Sequence, residues 1–268
     1  DGIEGILATM ITDSVEALEK KLMNWNRLID EHSEIAEVVA GFHVEGPFIS
    51  PKEGYVGAHP VEHVQPARVE DAERLVEAGR GRIRLLTLAP EQDKGAETIR
   101  YLRTAGVTVS AGHCDPSLED LNKAIESGLT MVTHLGNGCP VTLPRHDNII
   151  QKCLHLSDHL WNCFIPDGFH VPFFALQNYF DQIGRDKVIV TTDAIMAAGL
   201  GPGKYELSGF PVEIDATGVA RRPGSENLAG STIRGFEVAE NLRSQCNWSE
   251  AEILKSYSEN PRSALGLL

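Results

Sequence analysis

The chain has 268 residues, 42% of them hydrophobic and 23% charged, which is too apolar for a disordered segment and long enough for one large α/β domain. Its 24 Lys and Arg against 38 Asp and Glu leave a net charge of −14, which excludes a nucleic-acid or anionic-membrane partner but not a small anionic substrate held by local cations. No apolar run approaches the ~20 residues of a membrane span, and five Cys without a C-x-x-C pair speak against a disulfide scaffold, so a reduced, cytoplasmic enzyme is expected.

Taken in chain order, the first strand is predicted at Ile6–Ile11. An amphipathic helix follows over Ser14–Ile29, with Val15, Leu18, Leu22 and Trp25 on one face and Ser14 as its N-cap. Strands are predicted at Val38–His43, Ile83–Leu88 and Val107–Ala111. Ser117-Leu-Glu-Asp120 has capping-box spacing and opens a helix over Leu118–Ser127. Further strands fall at Thr130–His134, Asn162–Pro166 and Val188–Thr192, with a helix at Pro172–Ile183. A Gly/Pro-rich stretch, Lys204–Asn227, reads as a β-hairpin insertion at about 203–228. Helical patterns at Thr232–Cys246, Ser249–Tyr257 and Pro261–Leu267 complete the chain.

Repeated strand–helix units imply parallel strands with helices outside them, hence a TIM-type barrel or a doubly wound sheet. No linker divides the chain, so residues 1–268 are expected to form one domain. Barrel closure needs eight strands and seven are predicted, which places the first upstream of Asp1. The chain opens without Met and stops at Leu268 after a helix-like segment, as a piece of a longer protein would.

In parallel barrels the chemistry gathers at the C-terminal ends of the strands. Here those ends read His43-Val-Glu45, Gly112-His113, Thr133-His134, Asp167-Gly-Phe-His170 and Thr192-Asp193. One such His or Asp is more often a satisfied structural group or a helix cap. Several together are costly to bury unless they share a cation or one another. Glu45, His113 and His134 supply three ligands and leave a position for water, the pattern of a catalytic zinc-type site. Asp193 is then the candidate proton acceptor.

The ordered strings His43-Val-Glu-Gly-Pro-Phe-Ile49, Gly112-His113, Thr133-His134-Leu-x-Asn137, Asp167-Gly-x-His170-Val171, Thr192-Asp193-Ala194, Leu228-Ala-Gly-Ser231 and Asn260-Pro-x-x-Ala264-Leu-Gly266 resemble the N-acetylglucosamine-6-phosphate deacetylase family of the amidohydrolase superfamily. The resemblance implies a distorted (β/α)8 TIM-type barrel, its first strand and most of a small β-sandwich lying outside this chain. It implies Glu45, His113 and His134 as metal ligands, with zinc or another divalent ion in one or two positions. It implies Asp193 as the general acid/base and His170 as the group that holds or polarises the substrate. Substrate contacts fall to His59, to Asn137 and Gly138 with Arg145 for the phosphate, and to Leu228 near the acetyl group. In this family the arginine often comes from a neighbouring subunit, so a homodimer is expected. The chain departs from the family at Gly138-Cys139-Pro140 and at His146-Asp147-Asn148, both in the part that recognises phosphate.

The implied reaction is metal-dependent hydrolysis of N-acetylglucosamine-6-phosphate to glucosamine-6-phosphate and acetate. Two other readings stay open: an amidohydrolase for a different acylated amine or cyclic amide, and a catalytically incomplete barrel fragment.

Overall fold

Each apolar run that the sequence marks as a strand is one in the computed structural model, which describes residues 3–207, 209–224 and 227–267. Contacts separate the chain into two units. Among the described residues, one holds 3–133 together with 139–149; the other holds 134–138 and those between 150 and 267.

The N-terminal unit runs β1 (Ile6–Ile11), α1 (Val15–Glu31), α2 (Ser33–Val38), β2 (Val39–Glu45), α3 (Val69–Gly79), β3 (Ile83–Leu88), α4 (Glu97–Thr104), β4 (Thr108–Ala111), α5 (Leu118–Ser127) and β5 (Leu129–Val132). The five strands are parallel and neighbour one another in chain order. In β2–β5 the residues are buried in near-continuous runs, Phe42–Glu45 and Leu85–Leu88 among them, as expected of parallel strands covered on both faces, whereas β1 buries only Ala8 and Met10.

Two helices show how the sequence sets these elements. Ser14 caps α1, its Oγ accepting the Ala17 N–H at 3.2 Å, and Val15, Leu18 and Leu22 form the stripe that is buried as α1 packs on α3. The capping box is formed as its spacing predicts: Asp120 N–H donates to Ser117 Oγ and Ser117 N–H to Asp120 Oδ2, each at 3.1 Å.

The C-terminal unit follows α6 (Ile149–His155) with β6 (Trp161–Phe164), α7 (Phe173–Ile183) and β7 (Val188–Val190), β6 and β7 being parallel. A separate antiparallel sheet of β8 (Gly203–Leu207), β9 (Phe210–Ile214) and β10 (Ala220–Arg221) comes next, with β9 in the middle. Helices α8 (Gly235–Cys246), α9 (Glu250–Leu254) and α10 (Asn260–Ala264) end the unit. Its core stacks Phe164 edge-on against Phe180, and Phe180 against Trp248, with ring centroids 5.4 and 4.7 Å apart. Buried Asn260 donates from Nδ2 to the carbonyls of Val188 (2.7 Å) and Arg185 (3.1 Å), which ties the start of α10 to the entry of β7.

Seven parallel strands alternating with helices make this an α/β fold consistent with a distorted TIM-type barrel. Among the described residues no helix is long and apolar enough to cross a membrane.

Candidate active site

Glu45 is the last residue of β2, level in register with Ile11 of β1 and Thr87 of β3. His113 stands two residues beyond β4, and His59 comes from the loop that follows β2. The structure brings these three together: each offers a ligand atom within 4.8 Å of the others, and their relative exposures are only 4%, 7% and 6% for Glu45, His113 and His59. Glu45 Oε1 lies 3.4 Å from His113 Nε2, and the two imidazoles meet edge to face with centroids 4.3 Å apart.

The loop after β2 fixes the His113 ring. His113 Nδ1 is 2.8 Å from the Tyr55 carbonyl, an atom that can only accept, so the proton of a neutral ring sits on Nδ1. The lone pair is therefore on Nε2, facing the Glu45 carboxylate. A carboxylate oxygen and an imidazole lone pair 3.4 Å apart repel unless a cation or a proton lies between them. One carboxylate and two imidazoles, all buried, are also the ligand types that divalent zinc-like ions take, so the residues fit a metal.

The same loop is clamped elsewhere. Ser50 N–H donates to the His113 carbonyl at 2.9 Å. Lys52 Nζ pairs with Asp115 Oδ2 at 2.7 Å, and the Asp115 N–H donates to Glu91 Oε1 at 2.7 Å. Burial pushes the Tyr55 phenol well above its ordinary range, and the Asp115 carboxylate beside it adds to the effect. Gly57 adopts φ +59°, and a Cβ there would stand 3.0 Å from His113 Cε1, so a side chain at 57 would strain the backbone and crowd the ring.

At the level of Glu45 a polar belt crosses the unit. His43 Nε2 is 2.8 Å from Thr87 Oγ1, which is 2.7 Å from Thr133 Oγ1, which is in turn 2.7 Å from Ser110 Oγ. All four residues are buried, and their mutual hydrogen bonds satisfy groups that would otherwise be expensive inside a sheet. His43 and Thr133 stand in the strand-end strings read from the sequence, whereas Thr87, Ser110 and the Tyr55 carbonyl do not.

The remaining predicted residues distribute as follows. Arg145 belongs to the N-terminal unit and is exposed. His134, Asn137, Gly138, His170, Asp193 and Leu228 belong to the C-terminal unit. His134 is buried two residues beyond β5. Asn137 directs both its N–H (3.0 Å) and its Nδ2 (3.1 Å) to the His134 carbonyl, drawing 134–137 into a tight turn. His170 Nδ1 is 2.6 Å from Asp167 Oδ2. The Asp193 carbonyl accepts the Ser231 N–H at 3.0 Å, and the Ser231 carbonyl accepts the Ile195 N–H at 2.9 Å. Leu228 bridges to Arg221 beside β10.

One backbone property runs through the set. Among the described residues six non-glycine positions have positive φ, and three of them are His113 (50°), His134 (32°) and Asp193 (48°). Each sits two or three residues past a strand, where a left-handed turn swings the side chain off the strand's own line. Such conformations are sparsely populated for L-residues and gather at functional positions.

No protein-family model matches the chain. Individual relatives do. The N-acetylglucosamine-6-phosphate deacetylase of Bacillus subtilis (strain 168) is 33% identical over 270 residues, which take in 100% of this chain and 67% of that protein. The N-acetylgalactosamine-6-phosphate deacetylase of Escherichia coli O157:H7 is 26% identical over 267 residues, 100% of this chain and 69% of the relative. Among solved structures, N-acetyl-D-glucosamine-6-phosphate deacetylase from Mycobacterium smegmatis matches with TM-score 0.89 at 27% identity, covering 98% of this chain and 68% of that one. The same figures hold for an aspartate-to-alanine mutant of that enzyme in complex with N-acetyl-D-glucosamine-6-phosphate. Aligned along its whole length with the Bacillus subtilis enzyme at 33% identity, the chain belongs to the N-acetylglucosamine-6-phosphate deacetylase family.

Proposed function

We propose that the chain hydrolyses the N-acetyl amide of N-acetylglucosamine-6-phosphate, releasing glucosamine-6-phosphate and acetate. The observation that carries this is the Glu45–His113 pair: a buried carboxylate facing the lone pair of an imidazole whose other nitrogen is committed to the Tyr55 carbonyl. Family membership supplies the substrate class.

Glu45, His113 and His134 are read as the residues that hold the ion, with His59 beside the first two as a substrate contact. A divalent ion held there, read here as zinc, would supply Lewis acidity toward the amide carbonyl and would make water easier to deprotonate near neutral pH. Asp193 takes a proton from water as the water oxygen bonds to the carbonyl carbon. It returns that proton to nitrogen as the C–N bond breaks, so acetate and the free amine leave and the carboxylate is regenerated. His170 donates to the carbonyl oxygen as negative charge develops there. Arg145 and the tight Asn137–Gly138 turn take the phosphate, and the Leu228 backbone lies against the acetyl group. The fold is read as a distorted (β/α)8 barrel in a homodimer, Arg145 serving the neighbouring copy.

Acetate release from the gluco and galacto 6-phosphates and from their unphosphorylated forms tests this reading. Hydrolysis of the gluco 6-phosphate with a bound divalent ion is expected. Arg145→Ala should raise KM for the phosphorylated sugar by roughly ten- to a hundredfold, the strength of about one charged hydrogen bond, and leave an uncharged substrate unchanged. A metal-free chain, or one that hydrolyses only other amides, overturns it.

A further inference from the structure

The segment Asp167-Gly168-Phe169-His170 is built around one carboxylate. Asp167 Oδ1 accepts the N–H groups of Phe169 and His170, each at 2.9 Å, while Oδ2 lies 2.6 Å from His170 Nδ1. The two side chains are each only 7% exposed. Gly168 makes the turn possible: its φ is +78°, and a Cβ there would stand 2.6 Å from the Phe173 ring. Every contact that Asp167 makes here is from a donor, so the carboxylate is used on both oxygens.

We propose that Asp167 is a positioning residue that fixes His170 as the Nδ1–H tautomer and leaves Nε2 as the ring atom that meets substrate. Oδ2 of a carboxylate can only accept, which puts a proton on Nδ1 in both the neutral and the charged ring. Burial alone would raise the Asp167 carboxyl; the hydrogen bond and positive charge of His170 and the two N–H groups bring it below its ordinary value, so it stays ionised. The second ring proton then rides on Nε2, where a carbonyl oxygen can receive the hydrogen bond, and the adjacent carboxylate stabilises the imidazolium that donates it. The inference rests on the reading above that His170 touches the substrate.

Asp167→Asn separates tautomer from turn. The side-chain oxygen still accepts both backbone N–H groups, but an NH₂ now faces Nδ1 and calls for a lone pair there, moving the ring proton to Nε2. Nitrogen-15 NMR of His170, in the chain loaded with a diamagnetic divalent ion, should show protonated Nδ1 in the wild type and protonated Nε2 in the variant. The variant ring still donates from Nε2–H but without the charge that Asp167 supports, so turnover should fall by roughly tenfold, the difference between a charge-assisted and a neutral hydrogen bond, with a smaller change in KM. A wild-type neutral ring protonated on Nε2, or the same tautomer in both proteins, overturns the proposal. The wild-type spectrum decides alone if the variant does not fold. His170→Asn tests the underlying reading separately: unchanged turnover there removes His170 from the reaction while the spectra still decide what Asp167 does to the ring.

Discussion

His113 and His170 both lie beyond the end of a strand with little side-chain exposure, and in both Nδ1 is held by an oxygen that can only accept. The oxygens differ. His113 faces the backbone carbonyl of Tyr55, a neutral dipole; His170 faces the carboxylate of Asp167, a full charge. A carbonyl orients a neutral imidazole and leaves its far nitrogen a lone pair, which suits a metal ligand. A carboxylate also supports the second proton, which suits a hydrogen-bond donor. On the proposed roles, the same side chain is directed to two chemistries by the charge of one neighbouring atom.

The largest effect should come from the His113 end. Glu45→Gln or His113→Ala should lose the bound ion by elemental analysis and lose hydrolysis with it. A variant that keeps a stoichiometric ion would show that the pair is held together by a proton instead. Next is Asp193→Asn, which should keep the ion and both histidine environments yet lower turnover by about 10²–10⁴-fold, the usual share of a general acid/base. Unaltered turnover would take proton transfer away from Asp193. A smaller effect is expected at Gly57→Ala, where the left-handed backbone costs about 1–2 kcal/mol and the new methyl presses on the His113 ring. A lower melting temperature and weaker ion affinity would follow; an unchanged affinity would mean that the Tyr55 carbonyl alone orients the ring.

The smallest effect concerns pH. A carboxyl depressed in the folded state, as Asp167 is, contributes stability that is fully present above its unfolded value and is lost as pH falls through the lower folded value. Below about pH 4 the wild type should therefore lose melting temperature faster than Asp167→Asn. Parallel curves would show that the His170 pair adds nothing to the fold.

Much of the fold could be read from hydrophobic pattern. Strands Ile6–Ile11 and Ile83–Leu88 and helix Leu118–Ser127 fall on their predicted residues because short apolar runs and a capping box are local signals. Helix α3 was not singled out: its buried positions are Ala72, Leu75 and Gly79, a stripe too small to stand out. Helix α2 buries none of its six residues, so it carries no periodic signal. Glu45 and His113 were legible because ligand-type side chains at strand ends are rare. The carbonyl that orients His113 was not, since a backbone oxygen has no sequence signature. Left-handed φ at His113, His134 and Asp193 was hidden for a related reason: glycine announces such a turn, and histidine and aspartate do not.

Those three bent corners bear on how the chain tolerates change. A residue kept in an unfavourable conformation costs stability that its chemistry, not its packing, justifies. Glycine at 113, 134 or 193 would relax the backbone while abolishing the chemistry proposed for that position, so at these corners inactivity and heat resistance pull in the same direction. Descendants of this chain released from selection for turnover would be expected to drift toward glycine or asparagine there first, leaving a sturdier and silent fold.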